Sequence, residues 1–216
     1  MLIPAQWNSE QQPSSQLYGA FFSTVLSLRG TAIVKQPLQD DKTGSILCWN
    51  GEAWSLRGHY DSITGNDSQL IFDMLLQQSH LTPIDDRKTS LRRIVGIFSS
   101  IRGPHAFVFY DARHQYLYYG RDCLGRRSLL RKSISDHYLI LSSVCDNATG
   151  DNWAEVEADG IYVVDLERTI NQAVLDHYHI PHSRQSESSP DGPSFVGKFP
   201  YSSKFTKSIS AYHSLR

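Results

Sequence analysis

The sequence predicts a layered domain that combines β-sheet with helices, of the α/β or α+β class. Segments rich in aromatic and β-branched residues recur along the chain, as they do in the strands of a sheet. Residues 65–78 instead space their apolar side chains along one helical face. The strand candidates at 137–144 and 160–166 have fully apolar centres, which is typical of strands buried on both faces of a layered domain.

The elements follow from local patterns in chain order. Asn50-Gly51 ends one strand candidate, and this dipeptide is typical of a tight hairpin turn. Asn66, Asp67 or Ser68 can cap the start of the main helix. The predicted elements are strands at 21–29 and 46–49, a helix at 65–78, a weaker helix at 90–99, a hairpin over 105–122, and strands at 137–144 and 160–166.

Composition divides the chain into three parts. Residues 1–17 are polar and contain two prolines, which indicates an irregular lead-in. Residues 18–182 form the expected domain. Residues 183–216 are rich in Ser, Pro and Gly without periodicity, which predicts a disordered tail.

Charge and cysteine content exclude several function classes. The formal net charge of −1 gives no bulk attraction to nucleic acid or to anionic lipid. The three cysteines are scattered and form no metal-binding pattern, so we expect no metal and no cofactor. Without a signal peptide or a long apolar run, the expected location is the cytoplasm, with no membrane partner.

Four segments occur in a characteristic order: WNGE at 49–52, GNDSQLI at 65–71, the aromatic hairpin ending in GRD at 101–122, and CLGRRSLL at 123–130. Together they resemble the class II glutamine amidotransferase domain, the N-terminal-nucleophile glutaminase that supplies ammonia to asparagine synthetase. The resemblance covers roughly residues 20–166. It implies an α+β fold, the αββα four-layer sandwich of Ntn hydrolases, and it implies hydrolysis of glutamine to glutamate and ammonia.

The resemblance assigns catalytic roles to Asn50 and Gly51. In the family, an Asn side-chain amide and a Gly backbone N–H stabilise the oxyanion of the tetrahedral intermediate. Such donors must be preorganised about 3 Å from the developing charge. The alternative for the same dipeptide is a hairpin turn that binds no ligand.

Three further residues match the family's substrate ligands. Glu52 and Asp67 are expected to hold the α-ammonium group of glutamine, and Asp67 can equally serve as a helix cap. Arg29 matches the arginine that binds the α-carboxylate, a role that suits the planar guanidinium. The alternative for Arg29 is a surface arginine at a strand end.

The segment after the hairpin contains a turn motif and a run of basic residues. Arg121, Asp122 and Gly125 match a family turn in which an Arg–Asp pair would stiffen the corner and Gly would adopt a positive φ. The basic run that follows suggests either a polyanion site or a solvated or docking face; it contains Arg126, Arg127, Arg131 and Lys132.

The family's nucleophile has no counterpart in the sequence as printed. The family places a cysteine first in the mature chain, where its own α-amino group acts as base. Here the first cysteine is Cys48, inside a predicted strand and without a free α-amino group. We expect the chain to lack the family's first strand and helix as well, and thus to be truncated.

Two functional interpretations stay open for this reason. One is a glutamine-hydrolysing amidotransferase by ancestry; the other is a non-catalytic glutamine-binding or regulatory module. No Gly-rich pyrophosphate loop of the SGG-x-DS type occurs in the sequence. A synthetase domain would therefore be supplied by another chain or be absent, and glutamine is the expected small-molecule ligand.

Overall fold

A computed structural model describes residues 3–4, 17–25, 33–58, 61–135, 138–145, 153–172 and 176–182. The helices are α1 (Asp67–His80), α2 (Arg87–Ser100) and α3 (Leu166–Gln172). The strands are β1 (Ile3–Pro4), β2 (Tyr18–Gly19), β3 (Leu38–Gln39), β4 (Ile46–Gly51), β5 (Ser55–Leu56), β6 (Ile101–Arg102), β7 (His105–Asp111), β8 (Tyr116–Arg121), β9 (Leu130–Ser135), β10 (Tyr138–Ser142), β11 (Ala154–Glu155), β12 (Gly160–Asp165) and β13 (Asp176–Pro181).

A six-stranded antiparallel sheet forms the centre of the described chain. Its strand order is β13-β12-β8-β7-β4-β3. A three-stranded sheet has the order β10-β9-β11, and two short pairs join β1 to β2 and β5 to β6. Because side chains alternate along each strand, the central sheet has two apolar faces, and other elements must pack on each of them to exclude water.

The helices α1 and α2 cover one face of the central sheet. Their apolar stripes and the facing side chains of β4, β7, β8 and β12 form one buried cluster. Phe98 of α2 stacks on Phe107 of β7 with ring centroids 3.6 Å apart, and Phe72 of α1 meets Phe109 edge-on at 6.5 Å. This packing of helix against strand accounts for the helical spacing seen in the sequence.

The three-stranded sheet covers the opposite face. Tyr119 and Tyr162 stack there with ring centroids 5.3 Å apart. Leu139 and Leu141 of β10 pack on the same cluster, together with Val156. The described layers therefore run helix, sheet, sheet. They are three of the four layers of the predicted αββα sandwich, and the α+β class is confirmed.

A buried polar cluster joins the helix pair to the β7–β8 hairpin. Ser79 Oγ donates to Asp111 Oδ1 at 2.9 Å, and His114 Nδ1 lies 2.9 Å from Asp111 Oδ2. Ser90 Oγ lies 3.0 Å from the same His114 nitrogen. These four side chains come from α1, α2 and the end of β7 with the turn that joins it to β8, and each is at most 1% exposed.

Most predicted elements are confirmed, with shifted ends. The main helix begins and ends two residues later than predicted, and the weaker helix extends to Arg87–Ser100. All of β12 is buried, as its apolar centre predicted. The same prediction is wrong for the strand at 137–144, because Tyr138 and Ile140 of β10 are exposed on a face that no described residues cover. The strand predicted at 21–29 is wrong for residues 21–25, which are irregular, and residues 26–29 lie outside the described chain.

Candidate functional site at the end of strand β4

Asn50 and Gly51 are the last two residues of β4, and they do not form a turn. Both are paired with β7, Asn50 opposite Ala106 and Gly51 opposite His105. The hairpin interpretation of Asn50-Gly51 is therefore wrong. Asn50 is exposed and lies on the sheet face opposite Leu47 and Trp49, which pack beneath the helices.

The register of β4 directs the Gly51 N–H away from β7. Glu52 N–H donates to Pro104 O at 2.9 Å, which makes Gly51 and His105 a non-hydrogen-bonded pair. The Gly51 N–H thus points to the side on which Trp49 N–H donates to Gln36 Oε1 at 2.8 Å. A backbone donor at a strand end, without an acceptor among the described residues, can serve a ligand.

Only glycine fits at position 51. A Cβ on Gly51 would lie 2.7 Å from His105 Cβ and 2.8 Å from Pro104 O. These distances are shorter than van der Waals contacts allow, so a side chain would force β4 and β7 apart. Gly51 is therefore required for the close approach of the two strands, and the same closeness fixes the direction of its N–H.

The carboxylate of Asp67 holds both flanks of the Asn50-Gly51-Glu52 segment. Its Oδ2 accepts from Trp49 Nε1 at 3.1 Å and from Ala53 N–H at 2.7 Å. Asp67 is 5% exposed, at the first residue of α1. The helix cap is Asn66, whose side chain accepts from Gln69 N–H at 3.0 Å, so the capping role considered for Asp67 belongs to its neighbour.

Glu52 is paired with an arginine of the turn that follows β8. Arg127 Nη2 donates to Glu52 Oε1 at 2.9 Å. Both side chains are about one-third exposed, at 34% for Arg127 and 35% for Glu52. The predicted ammonium ligand is thus accessible to solvent but already neutralised by a cation.

A buried histidine lies behind the strand end. His105 stacks on Trp49 with ring centroids 5.2 Å apart, and its Nδ1 lies 3.1 Å from Gly103 O. Burial lowers the pKa of His105 to about 4. The imidazole is therefore neutral near pH 7, and it supports the site as an apolar ring rather than as a charge.

The turn after β8 is held by backbone contacts of Arg121 and Asp122. Arg121 donates to Arg127 O at 2.8 Å and to Val156 O at 3.0 Å, and it also bonds Gly125 O. Asp122 accepts from the N–H groups of His105 and Arg126. Both side chains therefore bind backbone groups, and these contacts take the place of the predicted Arg–Asp pair. Gly125 adopts a φ of +62°, as predicted.

The electrostatics of Asp122 follow from these contacts. Burial acts to raise the pKa of Asp122, but donation from the Arg126 side chain and from backbone N–H groups outweighs it. The pKa therefore lies below its ordinary value, and Asp122 is a carboxylate. This charge fixes the turn against the start of β7.

The basic run engages separate partners instead of forming one cationic patch. Arg126 binds Asp122 at 2.8 Å. Arg131 lies over the Tyr162 ring and Lys132 over the Trp153 ring, at 5.5 and 5.7 Å from the centroids. These contacts favour a structural role for the run over a polyanion site.

Cys48 lies two residues before Asn50, on the same sheet face. It is half-buried inside β4, and burial raises the pKa of its thiol. A raised pKa keeps the sulfur protonated and a poor nucleophile. Cys48 therefore has no free α-amino group, and its sulfur is a protonated thiol rather than a thiolate.

The structure thus brings together four of the five predicted site residues. Asn50, Gly51 and Glu52 follow each other at the end of β4, and Asp67 binds the residues on either side of them. Arg29 lies outside the described residues.

Sequence reasoning missed Gln36, Trp49 and Arg127 as supports of the strand end. Trp49 adjoins the Asn-Gly-Glu motif, and this adjacency was the available signal. The sequence held no sign of the contact between Glu52 and Arg127, which are 75 residues apart.

The described residues contain neither a cluster of metal-binding side chains nor a helix that could span a membrane. No three His, Cys, Asp or Glu side chains of the described ranges converge on a point that could hold a metal ion. In the same part of the chain, no helix has the length and apolar character needed to cross a membrane.

Comparisons with known proteins identify sequence relatives. No family model matches the chain. The chain is 36% identical to asparagine synthetase domain-containing protein 1 of Homo sapiens over 169 residues, which are 76% of this chain and 24% of that protein. The Gallus gallus protein of the same name is 38% identical over 157 residues, 71% of this chain and 22% of the relative. The chain thus spans about a quarter of the length of the curated relatives it matches.

Solved structures with some similarity include a glutamine phosphoribosylpyrophosphate amidotransferase from B. subtilis, at 17% identity and a TM-score of 0.45, covering 69% of this chain and 32% of that one. Another is a predicted glutamine amidotransferase from Pseudomonas aeruginosa, at 12% identity and a TM-score of 0.41, covering 59% and 61%. The assignment rests on the sequence relatives, which confirm the family predicted from the ordered motifs. The chain belongs to the family of asparagine synthetase domain-containing proteins.

Proposed function

We propose that this chain is a glutamine-binding domain of the glutamine amidotransferase type, with its amide site at the end of β4. The observation that carries the proposal is the position of Asp67, whose carboxylate binds Trp49 and Ala53 on either side of Asn50-Gly51-Glu52. One buried group thereby fixes the segment that carries every motif residue predicted to touch the amide.

Asn50 and Gly51 are the proposed donors to the side-chain amide oxygen of glutamine. The Asn50 side chain is exposed, and the Gly51 N–H points away from the β4–β7 ladder. A neutral amide donor and a backbone N–H bind a carbonyl oxygen and strengthen their hold as it becomes an oxyanion. The pair therefore suits both glutamine binding and the stabilisation of a tetrahedral intermediate.

Glu52 and Asp67 are the proposed acidic side of the site. Glu52 is the exposed carboxylate of the two and can reach an α-ammonium group directly. Asp67 is buried and its Oδ2 is occupied by two donors, so its contribution is negative charge and alignment of the segment. The role of Arg29 as carboxylate ligand stays a prediction.

Hydrolysis by this domain requires a nucleophile that the described site does not contain. Cys48 is the nearest cysteine in sequence, and its protonated thiol inside β4 is unsuited to attack. This observation favours a second candidate function, a non-catalytic module that binds glutamine and regulates or recruits a partner. Asparagine formation would in either case need a synthetase domain.

Calorimetric titration of the chain with L-glutamine tests the proposal. We expect saturable binding that Asn50→Ala weakens, because the amide oxygen loses a donor. Gln77→Ala, which removes an exposed amide on α1, is the matched control and should leave the affinity unchanged. Absence of saturable glutamine binding by the folded wild-type chain would overturn the proposal.

A further inference from the structure

The edge of β4 that faces β3 changes its hydrogen-bonding partner part-way along the strand. Strand β3 pairs with β4 in a register that sets Leu38 opposite Leu47. In the same register, Asp40 N–H donates to Ser45 O at 2.9 Å, just before β4 begins. Because hydrogen-bonded pairs alternate along antiparallel strands, every second residue of β4, counted from Leu47, directs its N–H group to this edge.

A side chain replaces the backbone at the next step of this ladder. A continued register would place Gln36 opposite Trp49 and Val34 opposite Gly51. Residues 34–36 form no strand, and the Gln36 side chain instead reaches the edge, where its Oε1 accepts from Trp49 N–H at 2.8 Å. Trp49 is buried, so its N–H group needs an acceptor, and Gln36 supplies one without a paired strand.

The same replacement leaves the Gly51 N–H group without a strand partner. Val34, the residue that would oppose Gly51, packs on the buried cluster beneath the helices. Gly51 is half-buried beside the exposed Asn50, and its N–H group has no acceptor among the described residues. A ligand can therefore reach a donor that a longer β3 would have covered.

We propose that Gln36 is a positioning residue of the candidate site, which aligns the Gly51 N–H group with the amide oxygen of glutamine without touching the ligand. Gln36 holds Trp49 by its backbone N–H, and Asp67 holds the same residue by its indole. Trp49 is thus fixed from the strand edge and from the start of α1, and Gly51 lies two residues further along the same edge. The inference rests on the proposed function, because it takes Gly51 as a donor to the amide.

Three substitutions in the full chain test this role. Gln36→Met removes the acceptor and keeps the length of the side chain. Gln36→Glu retains an oxygen at the end of the side chain and should restore the bond to Trp49 N–H. Gln39→Met is the matched control, because it removes an exposed amide on the neighbouring β3.

Calorimetric titrations with L-glutamine and with L-norleucine, which has no amide, measure the effect on binding. We expect Gln36→Met to weaken L-glutamine binding about three- to tenfold, the effect of one impaired hydrogen bond. The affinity for L-norleucine should be unchanged, because Gln36 acts only through the donor to the amide. Gln36→Glu should restore part of the loss, and Gln39→Met should cause none. An equal loss for both ligands would overturn the positioning role, since it would indicate a general loss of structure.

Amide hydrogen exchange without ligand gives a second readout. In the wild type, the Trp49 N–H group should exchange more slowly than the Gly51 N–H group, because only Trp49 has an acceptor. Gln36→Met should remove this protection and leave unchanged that of Ala53, whose N–H group donates to Asp67. If Gln36→Met does not fold, the wild type still tests the inference: equal exchange at Trp49 and Gly51 would overturn it.

The two measurements separate this inference from the proposed function. If the wild type binds L-glutamine and Gln36→Met binds it as tightly, the inference fails while the proposed function stands. If the wild type binds no L-glutamine, the proposed function fails, and the inference fails with it whatever the exchange rate at Trp49.

Discussion

The indole Nε1 of Trp49 donates to Oδ2 of Asp67 across 3.1 Å, which joins the C-terminal half of β4 to the first residue of α1. The same oxygen accepts from Ala53 N–H, so one carboxylate spans the segment from residue 49 to residue 53. The position of the Asn50-Gly51-Glu52 motif therefore depends on where α1 begins. One buried carboxylate at the start of α1 thus holds the geometry of the site.

Asp67→Ala is expected to destabilise the fold. The substitution removes the acceptor for the Trp49 indole, and a buried donor that loses its acceptor costs about 1–3 kcal/mol. Asp73→Ala, an exposed carboxylate on the same helix, is the control and should change the free energy of unfolding by less than about 0.5 kcal/mol. Urea denaturation measures both values. Equal effects of the two substitutions would contradict the role given to Asp67.

Gly51→Ala is expected to destabilise the chain and to weaken glutamine binding. Its Cβ would meet His105 Cβ at 2.7 Å, and such overpacking costs about 1–3 kcal/mol. Gly96→Ala is the matched change at an open position inside α2, where alanine should stabilise by up to about 1 kcal/mol. Thermal unfolding distinguishes the two. A tolerated alanine at 51 would mean that the strands can separate without cost.

The stability of the fold should fall on mild acidification because of His105. Burial lowers its pKa in the folded chain to about 4, below the ordinary value of 6.5. Between these two pH values the unfolded chain binds more protons, so the stabilisation is fully present above pH 6.5 and is lost as the pH falls towards 4. The shift corresponds to about 3 kcal/mol.

Urea denaturation at a series of pH values checks this expectation. His105→Phe retains an aromatic ring against Trp49 and has no titratable group, so its stability should depend less steeply on pH over the same interval. Burial also lowers the pKa of His182, which leaves a residual slope of the same sign. Identical slopes for the wild type and His105→Phe would exclude His105 as the source.

The chain as printed is expected to release no ammonia from glutamine above the buffer background. The reason is chemical: burial keeps the Cys48 thiol protonated, and a residue inside β4 has no α-amino group to act as base. A coupled ammonia assay measures this, with Cys48→Ala as the comparison. Turnover that persists in Cys48→Ala would show that another residue supplies the nucleophile.

The sequence predicted elements whose periodicity matches their burial. The helix at α1 and the hairpin of β7 and β8 carry apolar side chains at the spacing that their packing requires, and both are confirmed. Asn50-Gly51 misled because the dipeptide is typical of turns, whereas here the lack of a Cβ serves the close approach of β4 to the Gly103–His105 segment. The contact between the two strands, and not the local turn propensity, determines the conformation of Asn50-Gly51.

The site was only partly predictable for a related reason. Motif order located Asn50, Gly51, Glu52 and Asp67, which the structure brings to one strand end. The partner of Glu52 lies in a turn far along the chain, and only the pairing of β4, β7 and β8 brings Arg127 to it. Pairing partners across a sheet are set by the whole topology, which a single sequence does not display.

The buried cluster of Ser79, Ser90, Asp111 and His114 bears on how the molecule opens. Because its hydroxyl, carboxylate and imidazole groups are satisfied by one another, separating any one element would expose several unpaired polar groups at once. We expect the C-terminal end of α1, the N-terminal end of α2 and the β7–β8 hairpin to exchange their amide protons together, as a single cooperative unit. The strand end that carries the candidate site belongs to the same sheet. We therefore expect the rate at which this strand end opens to depend on the stability of the buried cluster, although the two share no side chain.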